Sequence, residues 1–181
     1  VAFSFTAQAM AGQRFQRELE REGIEPIRGE ISAGPFTTLI WRGLFETEDA
    51  YWISYWAVND SEDPLAFHRV PRNAELLEPF RGDRAVDCAL WFSEEYLLVE
   101  EAPDDRGFLA TDLRFVEFWP ENNRGLPRTF FTWRIVPGDE GKPSVFEPVR
   151  GSGREISAVF EKLEARLQGD RNALGPQPPT R

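Results

Sequence analysis

The chain has 181 residues, 41% hydrophobic and 29% charged, and its 31 acidic side chains against 21 basic ones leave a formal charge of -10. A chain of this length hides roughly 70% of its unfolded surface, so a core can form without disulfides or a structural metal. His68 and Cys88 are the sole histidine and cysteine, which excludes a self-contained Cys/His metal centre and an intramolecular disulfide. The acidic balance argues against nucleic-acid binding, which depends on Lys and Arg neutralising phosphates.

The first residue is Val, which points to a processed chain or a piece excised from a longer one, and no charge occurs in VAFSFTAQAMAGQ, from Val1 to Gln13. This stretch is too short to cross a bilayer, which takes about 20 residues as a helix, and it lacks the basic start of a signal peptide. Ala7, Ala11, Phe15 and Leu19 recur every fourth residue before Gly23, which predicts a helix over residues 1–23. Two readings fit that helix. It is amphipathic and packed on the domain, or it is the end of a membrane-spanning helix running on into water, with Arg14, Arg17 and Arg21 just beyond the lipid. Glu18, Glu20 and Glu22 interleave with those arginines and dilute their bias toward the cytoplasmic side.

Segments 26–33, 37–47 and 50–58 are rich in β-branched and aromatic residues and predict a meander, with Glu48-Asp49 as the turn between the last two. Alternation in YWISYWAV sends Tyr51 and Tyr55 to one face and Trp52 and Trp56 to the other, so both faces are covered. The neighbouring Asp49, Asp60, Glu62 and Asp63 rule against a stacking platform for single-stranded nucleic acid.

Asn73 is placed to cap a short helix ending at Leu77, and Asp83 a second with Val86, Ala89 and Leu90 inward. Segments 95–101 and 107–118 flank APDDRG as a hairpin, and a last strand covers 128–136. Ser152 and Glu155 form a capping box for a helix with Ile156, Val159, Phe160, Leu163 and Leu167 as its apolar stripe and Gly169 as its stop. Residues 170–181 carry too little apolar content to fold and read as a disordered tail.

Candidate chemistry is sparse. Asp112 and Arg114 share one strand face and Arg128, Thr132 and Arg134 another, which predicts ordinary ion pairs or, alternatively, a small anion site at Arg114 and Arg134, since guanidinium forks match carboxylates and phosphates. Trp41 and Arg42 complete the ligand-binding set Trp41, Arg42, Arg114 and Arg134 for an anionic small molecule or lipid headgroup. His68 lies between bases in FHRVPR and reads as a surface or hydrogen-bonded residue, and Cys88 reads as a buried, inert thiol. No DxDxDG spacing cages calcium and no glycine cluster cradles phosphate, so neither a catalytic nor a metal-ligating residue is assigned.

The run GPFTTLIWRGLFETEDAYWISYWAVND (Gly34 to Asp60), FHRVPRNAELLEPF (Phe67 to Phe80), WFSEEYLLVEE and LATDLRF together resemble the soluble C-terminal portion of the predicted membrane-bound metal-dependent hydrolase family, multi-pass bacterial inner-membrane proteins that include a LexA-regulated member. The resemblance spans residues 24–115. Its anchors are Pro35-Phe36 before Leu39-Ile40-Trp41-Arg42, Pro71-Arg72, Trp91-Phe92-Ser93 and Asp112-Leu113-Arg114, while Thr37 stands where an Asn is expected. It implies a metalloenzyme assignment for the parent, whose divalent metal belongs to histidines of the membrane part, and it transfers no catalytic residue or cofactor to this chain.

The expectation is therefore an α+β fold: a curved, mainly antiparallel sheet of about five to seven strands packed by the N- and C-terminal helices. Residues 24–169 form one domain, after a leading helix that continues a truncated membrane span. The first functional reading is a non-catalytic accessory, regulatory or substrate-presenting domain, facing the cytoplasm and joined to the bacterial inner membrane through a missing N-terminal part. The second is a small-molecule, anion or lipid-headgroup binding module. An independent hydrolase using His68 and a carboxylate ranks last, and the sequence leaves the oligomeric state open.

Overall fold

The computed structural model describes residues 2–35, 37–115, 117–119, 126–138, 144–149 and 153–176. In chain order the elements are α1 (Ala2–Glu22), β1 (Arg28–Ala33), β2 (Ile40–Glu46), β3 (Ala50–Ala57), β4 (Phe67–Pro71), two 3-10 turns (Ala74–Leu76 and Glu78–Phe80), α2 (Arg84–Phe92), β5 (Leu97–Glu101), β6 (Phe108–Asp112), β7 (Glu117–Phe118), β8 (Arg128–Thr129), β9 (Thr132–Val136), β10 (Val145–Pro148) and α3 (Gly153–Leu167). The fold is α+β with antiparallel pairing. The strands form two open four-stranded sheets, β1-β2-β3-β4 and β10-β9-β6-β5, and a β7-β8 ribbon, where the sequence predicts one curved sheet.

The described residues cluster into two compact units. One takes its residues from Val1–Val70, Trp119–Leu126 and Gly153–Arg181, the other from Pro71–Phe118 and Pro127–Ser152. The first boundary falls between the last two residues of β4, where no linker-like composition marks it.

In the first unit, strand alternation decides what each face buries. Trp41 pairs with Trp56 and Phe45 with Trp52, and these side chains join Ala7, Ala11, Phe15, Leu19 and Leu65 in one core against α1. Phe15 meets Phe45 edge-on at 5.7 Å. Burying such large side chains is worth about 1.5–3 kcal/mol each. Arg42, Leu44 and Glu46 lie opposite Tyr55, Ile53 and Tyr51 on the other face, so both faces of β3 are used.

The two charges on the inward side of α1 fasten it to the chain beyond β3. Arg14 donates through Nη1 to Glu62 Oε2 at 2.6 Å and through Nη2 to the Asp63 carbonyl, while Glu18 accepts the Leu65 N–H at 3.4 Å. Both side chains are buried. The arginine that the membrane reading sets beside lipid thus holds α1 on its sheet. Among the described residues no helix is long and apolar enough to cross a membrane.

α3 presents Val159 and Leu163 inward, but Phe160 is half exposed, one step round the helix from the stripe assigned to it. Ser152 of the expected capping box lies outside the described residues. Beyond α3, Gly169 at φ 104° lets Asp170 N–H reach back to the Ala165 carbonyl at 3.0 Å, a closure whose left-handed φ suits glycine. Residues 170–176 then form a turn with Ala173 and Leu174 buried, and the rest of the expected tail, 177–181, lies outside the described residues. Two small apolar side chains suffice because Arg171 ties the turn down, donating to the Asp63 and Pro64 carbonyls.

In the second unit, Leu97, Val99, Ala110, Trp133 and Ile135 face Ala85, Val86 and Ala89 of α2. Asp83 caps that helix as predicted, accepting Ala85 N–H at 2.8 Å and Val86 N–H at 3.4 Å. Asn73 does not cap: its own φ is 50° and its Nδ2 donates across to the Val99 carbonyl at 2.9 Å. Cys88 is exposed, because it sits about 200° round the helix from Val86. The strand predicted over 128–136 breaks at Phe130-Phe131 into β8 and β9, which join different sheets. β10, not expected from the sequence, adds an edge beside β9.

Candidate functional site

One concavity of the first unit is built from α3, the strands and the C-terminal turn. Val159, Leu163 and Arg166 follow helical spacing, so Arg166 continues the apolar stripe and is 1% exposed. Its charge is met by Asp60, whose carboxylate takes Nη1 at 2.7 Å and Nη2 at 2.5 Å. Asp60 is itself fixed in the turn after β3, where it accepts the Ala57 N–H at 2.9 Å. This end-on grip leaves Arg166 Nε–H buried with no hydrogen-bond partner among the described residues.

Arg166 lines a cavity of about 260 Å³. Tyr55 of β3 and His68 of β4 form one side, Pro64, Leu65 and Ala66 supply apolar wall, and Arg171 and Asn172 close it from the C-terminal turn. Among the described residues no lining side chain is a carboxylate. Burial pushes the His68 pKa below the ordinary histidine value. Its ring stands edge-on to Trp119 at 5.6 Å, and Gly175 packs so close that a Cβ there would lie 2.5 Å from Nε2.

The residues singled out from sequence fall elsewhere. Trp41 and Arg42 leave β2 on opposite faces: Trp41 packs under α1 and donates Nε1–H to the Thr38 carbonyl at 3.0 Å, whereas Arg42 is buried opposite Tyr55. Pro35 sits in the turn before β2, Pro71 ends β4, and the Arg72 carbonyl accepts the Val99 N–H at 3.4 Å. In the second unit, Arg114 is enclosed by Asp112 (Nε to Oδ1 3.1 Å, Nη2 to Oδ2 2.8 Å), Glu94 (2.8 Å) and the Phe92 carbonyl, with its cation 5.7 Å from the Phe92 and Phe115 rings. Arg134 grips Asp104 at 2.8 and 2.9 Å, in the turn before β6, while Arg114 follows the far end of that strand. The two guanidiniums therefore do not converge.

Arg134 borders a groove of about 800 Å³ together with Glu101, Asp104, Asp105 and Glu147. Its bond to Asp104 holds that carboxyl below the usual aspartate range. With carboxylates in the majority, this groove disfavours the anion expected at Arg134. Among the described residues no three His, Cys, Asp or Glu side chains are grouped to hold a metal ion.

Arg166, Arg171 and Asn172 were not legible as site residues, although a charge on an apolar helical stripe is the one sequence signal that marks Arg166. Compared with protein-family models, curated proteins and solved structures, the chain has no match in any of the three.

Proposed function

We propose that this chain is a binding module for a small organic carboxylate, received in the cavity at Arg166. The observation that carries the reading is a cavity whose described lining brings two guanidiniums, Arg166 and Arg171, and no carboxylate. A guanidinium offers five N–H donors in a planar fork, and Asp60 uses only the Nη1/Nη2 end. A ligand carboxylate in the cavity meets the charge of both arginines, with the partly exposed Arg171 the more accessible fork. Pro64, Leu65 and Ala66 give a short hydrocarbon tail its contact surface. The space amounts to about nine waters at roughly 30 Å³ each, room for a small acid.

Calorimetric titration with butyrate, acetate and inorganic phosphate at constant ionic strength tests this. The reading predicts saturable binding, tightest for butyrate, and at least a tenfold loss in Ala66→Trp, which obstructs the cavity from an exposed position without touching the ion pair. An absence of saturable binding for all three, or an unchanged affinity in Ala66→Trp with the fold intact by circular dichroism, overturns it.

A second reading draws on the uncharged run to Gln13 at the start of α1 and on the resemblance to membrane-bound metal-dependent hydrolases. In it, the module is the water-exposed part of an inner-membrane protein whose divalent metal is held elsewhere, and its work is accessory, regulatory or substrate-presenting. Metal-dependent turnover by this chain alone contradicts that reading.

A further inference from the structure

Resting on the carboxylate-binding reading above, we infer that occupation of the Arg166 cavity is coupled to uptake of one proton by His68, so that the site takes up an acid as anion plus proton and binds it more tightly as pH falls.

The geometry sets this coupling. His68 is the one imidazole of the chain and forms part of the cavity wall on β4. The edge of Trp119 and the backbone at Gly175 also pack against it, and neither brings a carboxylate. The charged and titratable groups facing the same space are Tyr55 from β3, Arg166 from α3 and Arg171 from the C-terminal turn. Both arginines oppose a further positive charge nearby, although each is met by an acid on its far side, Asp60 for Arg166 and Asp63 for Arg171 at 3.4 Å. Burial takes water from the imidazole and favours its neutral form, which lowers its pKa. A carboxylate drawn into the cavity by Arg166 and Arg171 introduces a negative charge into the space that His68 lines. The imidazolium then becomes the favoured form, and His68 carries a higher pKa in the complex than in the free protein.

The sign follows by linkage. Between the free and the bound pKa of His68 the complex holds more protons than the free protein, so affinity rises as pH falls, by at most about tenfold per pH unit for one proton. Above the bound pKa and below the free one the affinity is flat.

Two readouts test the coupling. First, butyrate, which stays ionised between about pH 6 and 8 because its acid resembles an ordinary carboxyl, is titrated calorimetrically in two buffers of different ionisation enthalpy. The expected result is a net uptake approaching one proton within the coupling window and an affinity that increases toward pH 6. Second, the His68 Cε1–H resonance, which has no other histidine to overlap it, is followed against pH with and without saturating butyrate. Its midpoint moves up in the complex, and in His68→Gln both the proton uptake and the pH slope disappear. Binding with zero proton uptake, or an unmoved His68 midpoint, overturns the coupling while leaving the binding reading intact. An absence of butyrate binding at every pH overturns both.

Discussion

Asp60 and Arg166 form a two-pronged ion pair across 106 residues of sequence, at 2.7 and 2.5 Å, with both side chains 3% exposed or less. The pair joins the turn after β3 to the last helix and sets one edge of the guanidinium toward Asp60, with Nε buried and without a hydrogen-bond partner among the described residues.

Removing one partner leaves a buried charge uncompensated, so Arg166→Met is expected to destabilise the first unit by about 3–5 kcal/mol. The double variant Asp60→Asn/Arg166→Met recovers a large part of that loss, since no charge is then stranded. Urea midpoints of the wild type, both single variants and the double variant check this. Additive losses contradict it.

Arg14 is the corresponding anchor at the N-terminus. Arg14→Met removes a buried donor to Glu62 and to the Asp63 carbonyl, and a loss of about 2–3 kcal/mol is expected. Glu18 keeps Arg21 at 2.8 Å, which moderates the cost. A helix that merely projects from the domain as a stalk predicts no change in the midpoint, so the same measurement separates a docked α1 from a free one.

The depressed pKa of His68 makes the ligand-free protein sensitive to mild acid. Unfolding returns the imidazole to a value near 6.5, so between the folded pKa and about 6.5 the unfolded state binds more protons and stability rises with pH. The contribution is complete above that window and is lost as pH falls through it. Stability measured between pH 5 and 8 should flatten in His68→Gln relative to the wild type; parallel profiles contradict the account.

Cys88 is exposed on α2, on the side away from Val86 and Ala89. A thiol reagent such as dithionitrobenzoate is expected to titrate one equivalent from the native protein without denaturant. Reaction only after unfolding favours the buried thiol expected from sequence.

Local pattern carried much of this fold. The stripe Ala7, Ala11, Phe15, Leu19 is the buried face of α1, the aromatic alternation of β3 covers both sheet faces, and Asp83 caps α2, because each depends on spacing within a few residues. What spacing does not contain is the partner brought by the fold. Nothing near Arg166 in sequence announces Asp60, and Asn73 has cap-like neighbours but finds the Val99 carbonyl instead. The unit boundary inside β4 and the break of the 128–136 segment at Phe130-Phe131 are likewise tertiary choices, made by which strands pair. At the site, His68 was visible as a lone imidazole among bases, and the cavity gave it a setting only once α3 and the turn over 170–176 were folded against it.

The most direct test of the central claim is the Nε–Hε resonance of Arg166 in a proton–nitrogen correlation spectrum during titration with butyrate. The account predicts a saturable shift with the same midpoint as the calorimetric isotherm, and its loss in Ala66→Trp. An Arg166 Nε–Hε signal that stays in place while butyrate binds, or that drifts without saturation, contradicts a carboxylate in the cavity beside Arg166.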